Sequence, residues 1–124
     1  FIMATLLYFM KNIIRSPKHL NYIRSLPCYI SEQEPSQACH IRILSDGGTG
    51  LKPSDYYTLP FIHQYHKMQT DIGEQTFYAK FNINPFTLAK DLVIMSPCKK
   101  VNNEVVIKQL EERAKTYARI YKDQ

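Results

Sequence analysis

The sequence predicts an α+β fold in which a strand, loop, strand, helix core carries additional helices at its N- and C-terminal ends. Three observations lead there. Apolar residues recur at helical spacing towards both ends of the chain, two short β-rich runs flank a glycine-rich stretch in the middle, and a helix-forming run follows the second of them. A chain of 124 residues, 44% hydrophobic and 22% charged, is long enough to bury one modest core and short for two. The expected organisation is one domain over residues 1–98, including an N-terminal helix, and a C-terminal amphipathic helix over residues 99–124.

Taken in order, Ile2, Leu6, Phe9, Met10 and Ile13 give the first helix, which Ser16-Pro17 stops. The opening "FIMATLLYFM" lacks a leading basic region and is too short to span a bilayer, so it reads as the start of that helix. "KHLNYIRSLPC" adds a helical turn before Pro27, and "SEQEPSQ" is polar and turn-forming. "CHIRIL" is a strand, "SDGGTG" a flexible connection, and "YYTLPFI" a second strand. "HQYHKMQTDIG" then reads as a helix ending at Gly73. In "NINPFTLAKDLVIM", Asn84 caps a helix with Pro85 in its first position, and Phe86, Leu88, Leu92 and Val93 are available to pack. The last helix carries a stripe of Val106, Leu110, Ala114, Tyr117 and Tyr121, with Asn103 as its cap and Glu104 four residues before Lys108.

The net charge of +5 is spread from Lys11 to Lys122 and favours an anionic partner, although many basic proteins bind no nucleic acid. Three cysteines, Cys28, Cys39 and Cys98, leave one unpaired in any disulfide scheme, which favours a reducing, cytoplasmic setting. No membrane partner is expected. "SDGGTG" lacks the Lys-Ser/Thr ending of a P-loop and is explained by hairpin geometry. Tyr56, Tyr57 and Tyr78 are expected in the core.

"HLNYIRSLPC", then "HIR", then "GGTGLKPSDYYTLPF", then a histidine and "GEQTFY" together resemble the HNH endonucleases of phage and bacterial type, in the His-Me finger superfamily. The resemblance covers about residues 18 to 94, and its specificity lies in the ordered combination. It implies a ββα-metal unit: two strands and a helix that hold one divalent ion, magnesium, manganese or zinc, against a scissile phosphate. His40 matches the general base and Asp55 the group that orients it, while Asp55 equally suits a turn after Pro53. His66 matches the first helical metal ligand. Cys39 stands where the family has another ligand, and also fits a small buried residue.

The chain departs from the family pattern at several places. The second helical ligand, four residues after the first and on the same face, is replaced by Thr70, and His63 is the candidate substitute. Of the zinc knuckle found in many relatives only Cys28 remains, with Ser31, Ile62 and Tyr65 at the other positions. Zinc needs about four nitrogen or sulfur ligands, so the knuckle is expected to be lost and its corner packed by Ile62 and Tyr65. Arg24, Arg42, Lys52 and Lys67 are the candidates for phosphate contacts, or else an ordinary solvated surface. The expected function is metal-dependent hydrolysis of DNA phosphodiester bonds. The alternatives are a degenerate HNH-fold protein that keeps only nucleic-acid or protein binding, and an interaction protein whose terminal helices pair with a partner or a second copy.

Overall fold

The structure, a computed structural model, describes residues 13–47, 51–98 and 103–121. It is mixed α+β, with five helices and a two-stranded antiparallel sheet among the described residues: α1 (Pro17–Ser25), β1 (Gln37–His40), β2 (Thr58–Phe61), α2 (His63–Ile72), α3 (Glu74–Lys80), α4 (Pro85–Met95) and α5 (Asn103–Tyr121). The helix expected from Ile2 onward falls on residues 1–12, outside the described residues. No helix among the described residues is long and apolar enough to cross a membrane.

Ser16-Pro17 starts a helix, α1. The Ser16 hydroxyl accepts from the His19 amide at 3.3 Å, and Pro17 occupies the first turn, where its missing N–H has no partner to lose. The first strand lies two residues earlier than "CHIRIL" predicts. Ile41 still donates to the Tyr57 carbonyl at 2.8 Å, but Arg42 and Ile43 give their amides to a side chain, Glu74, and Leu44 turns the chain at a φ of 52°. Ladder pairing stops where those amides are diverted.

The sheet pairs Gln37 with Phe61, Ala38 with Pro60, Cys39 with Leu59 and His40 with Thr58. Pro60 is tolerated within β2 because no third strand pairs there among the described residues, and its carbonyl accepts from the Tyr29 amide at 3.0 Å. Helix α2 ends at Gly73, whose φ of 89° is open to glycine and costly for other residues. Asn84 caps α4 through bonds from the Phe86 and Thr87 amides, and its own amide donates to the Ala114 carbonyl of α5 at 3.0 Å.

One core cluster runs from Cys28 and the two strands through Phe77, Tyr78, Phe86, Ala89 and Val93 to Val106, Leu110 and Tyr117. The expected stripe of the terminal helix is thus buried within the chain itself. Asn103 is the first residue of α5, and its side-chain amide donates to the Cys98 carbonyl at 2.8 Å. Tyr56, Tyr57 and Tyr78 are all buried, as expected.

His19 is fully buried, with Nδ1 3.0 Å from the Ser96 hydroxyl and its ring 4.7 Å from that of Tyr56. Burial pulls its pKa from 6.5 down to about 4, against the opposing charge of Asp55. The unfolded chain therefore binds this proton first as pH falls, and stability is lost between pH 6.5 and about 4. His19→Asn keeps a polar reach towards Ser96 and removes the titration. Urea midpoints measured across that window should fall less steeply with acid in the variant than in the parent.

Candidate functional site

The strand register places the first pair of functional side chains. His40 lies opposite Thr58, and Thr58 is tied back through its hydroxyl to the Asp55 carbonyl at 2.8 Å. The turn that precedes β2 thereby carries Asp55 alongside β1, where its Oδ1 sits 3.0 Å from His40 Nε2. The Asp55 side chain is buried. Its Oδ2 accepts from the Ser16 amide at 2.7 Å, and the Arg15 guanidinium lies 3.6 Å from Oδ1.

The proton on His40 follows from this geometry. A carboxylate only accepts, so a neutral imidazole facing it carries its proton on Nε2 and leaves a lone pair on Nδ1. Burial lowers the His40 pKa, the hydrogen bond and charge of Asp55 raise it, and Lys52 and Arg15 lower it again; the balance lies below the ordinary 6.5. His40 is therefore a neutral base near neutral pH.

At the other end of β1, Gln37 pairs with Phe61, two residues before α2 begins, and so reaches the first turn of that helix. Its Oε1 lies 2.7 Å from His66 Nδ1, and its amide nitrogen 3.5 Å from His63 Nδ1. With Oε1 as acceptor, His66 holds its proton on Nδ1 and keeps the Nε2 lone pair free. Burial and the nearby His63 lower the His66 pKa, so this imidazole too is neutral.

His40 and His66 line the same cavity, of about 360 Å³, together with Arg42, Gln69, Thr70 and Glu74. Residues 66 and 70 share one face of α2, as their spacing requires. Of the candidate phosphate contacts, Arg42 lines the cavity and Lys52 is close enough to depress the His40 pKa. Lys67 is exposed and paired with Asp71 at 2.7 Å, and Arg24 is exposed on α1, bonded to Asn21 at 3.1 Å. Both lie outside the cavity lining.

Two of the ligand candidates, Cys39 and His63, lie outside the lining of the His40 cavity. Cys39 points into the core, fully buried, because neighbouring strand residues face opposite sides and His40 takes the cavity side. Burial pushes its thiol up to about 12, so a metal-binding thiolate is disfavoured there. His63 is exposed and borders a second depression with His66, Lys67, Thr70 and Asp71, outside the lining of the His40 cavity. At the knuckle position, Cys28, Ser31 and Ile62 meet. Burial pushes the Cys28 thiol up, and hydrogen bonds from Ser31 and from the backbone at Ser31, Ile62 and Ile30 together hold it below its ordinary value. Tyr65 packs edge-on against Phe81, with ring centroids 5.5 Å apart.

The donors do not build a resident metal site. His66 offers one nitrogen, the Thr70 hydroxyl bonds the His66 carbonyl at 3.4 Å, and no group of three or more His, Cys, Asp or Glu side chains among the described residues is placed to hold an ion. Gln37, Arg15 and Glu74 also shape the site and are not among the candidates that the sequence offers. Only Glu74 had a signal, standing in the "GEQTFY" that carries the resemblance.

Comparison of the chain with family models, with curated proteins and with solved structures finds no match.

Thr70→His adds a second imidazole one turn beyond His66, on the wall of the same cavity. Calorimetric titration with manganese or zinc should show the variant binding at least about tenfold more tightly than the parent, the scale on which a single ligand or its support alters metal affinity. Equal affinities would mean that the two side chains do not converge.

Proposed function

We propose that this chain is a phosphodiester hydrolase of the HNH endonuclease type, acting on DNA. The observation that carries the reading is His40, backed at 3.0 Å by the buried Asp55, on the wall of a cavity that also presents Arg42 and His66. His40 Nδ1 takes a proton from water as the water oxygen bonds to phosphorus, and the bond from phosphorus to the leaving oxygen breaks. Asp55 stabilises the imidazolium so formed and fixes its ring. Arg42 faces the phosphate charge, and Arg15, Lys52 and the net charge of +5 favour an anionic polymer. No step is assigned to a metal ion, because the donors fall short of a resident site.

A second reading, a ββα-metal fold that has kept nucleic-acid binding and lost cleavage, draws on that same shortage of ligands and on the burial of Cys39. Plasmid nicking in magnesium or manganese separates the two. Under the first reading the parent nicks, and His40→Ala binds DNA at low salt like the parent while losing about a hundredfold or more in rate. Binding without nicking in the parent favours the second reading.

The pH profile is a further check. The acid limb of kcat/KM should lie below pH 6.5, where His40 protonates. Asp55→Asn removes the influence that raises this pKa, so the limb should move to lower pH while the rate drops. A limb that moves upward in the variant would contradict the assignment of His40 as base.

A further inference from the structure

Glu74 stands at the start of α3, and its carboxylate reaches back to the end of β1. Both oxygens accept from the Arg42 amide at 3.1 Å, and Oε1 also accepts from the Ile43 amide at 3.0 Å. Oε2 accepts from the Tyr78 hydroxyl at 2.8 Å, and that hydroxyl in turn accepts from the Gln69 amide of α2 at 2.8 Å. Gln69 and Tyr78 are buried, and Glu74 and Gln69 both line the cavity of His40 and His66. A chain of charge-assisted and shielded hydrogen bonds thus runs from two residues beyond His40 to three residues beyond His66.

We propose that Glu74 is a positioning residue, which through the Arg42 and Ile43 amides and through Tyr78 and Gln69 sets the spacing of His40, Arg42 and His66 across the cavity. This deepens the hydrolase reading and rests on it. Glu74 spends its acceptor capacity on backbone and Tyr78, so its part is to hold the walls and not to touch the phosphate. Without it, the two amides that leave the ladder after Ile41 have no acceptor from α3. The exit of β1 is then free to move relative to α2.

Glu74→Gln tests this in the full chain: it removes the charge and keeps one oxygen, so its NH₂ must face the Arg42 amide together with either the Ile43 amide or the Tyr78 hydroxyl, and one arm of the link is lost. Amide exchange at Arg42 and Ile43 should quicken by about tenfold, as expected for protection lost locally and not globally. The ring resonances of both His40 and His66 should shift. In nicking, kcat should fall about tenfold to a hundredfold with KM for DNA unchanged, since a displacement near 1 Å acts at that scale. Tyr78→Phe leaves the carboxylate on the two amides and cuts only the link to Gln69, so it should shift His66 more than His40. A folded Glu74→Gln protein with unchanged amide exchange and unchanged ring signals overturns the proposal, as does a variant whose only change is a higher KM. If the parent does not nick DNA, the hydrolase reading fails, and the exchange and ring signals alone decide the role of Glu74.

Discussion

The site depends on a buried carboxylate that is held by partners from two other parts of the chain. Asp55 accepts from His40 in β1 and from the Ser16 amide ahead of α1, and it lies beside Arg15. Its own amide donates to the Ile14 carbonyl at 2.8 Å. Burying a carboxylate is costly unless hydrogen bonds and opposite charge replace its water. Those replacements tie the segment before α1 to the turn before β2, so the requirement of one charge fixes the geometry of His40.

The helices on the far side hold this arrangement. Arg113 of α5 donates to the Leu44 carbonyl at 2.8 Å and lies over the Tyr57 ring at 5.3 Å. The segment it grips connects His40 to Asp55. The Asp46 carboxylate, in the same segment, accepts from both the amide and the hydroxyl of Ser54, the residue before Asp55. A terminal helix that reads as an appendage from its stripe is in this way connected to the candidate base through two elements.

Signals confined to a few neighbouring residues were legible in the sequence. Asn84-Pro85 marked a helix start, Gly73 a helix end, and the stripe from Val106 to Tyr117 a buried face, because capping, positive φ and periodicity are decided within a turn or two. The pairing of His40 with Asp55 came only through the resemblance, since fifteen residues and a loop separate them. Of the two readings of Cys39, ligand and small buried residue, strand alternation favours the second, because adjacent residues of a strand face opposite sides. The early end of β1, the short helix α3, and the roles of Gln37 and Glu74 were hidden, because each depends on contacts between residues about thirty positions apart.

Burial keeps the His40 imidazole neutral, and Asp55 fixes its proton on Nε2 and its lone pair on Nδ1. Nitrogen-15 NMR of the histidine side chains in the full chain reads this tautomer directly. Near neutral pH, His40 should show a protonated Nε2 and a bare Nδ1, with the ring taking up its second proton below the ordinary 6.5. A proton on Nδ1 at neutral pH, or a ring that titrates at 6.5 or above, would contradict it.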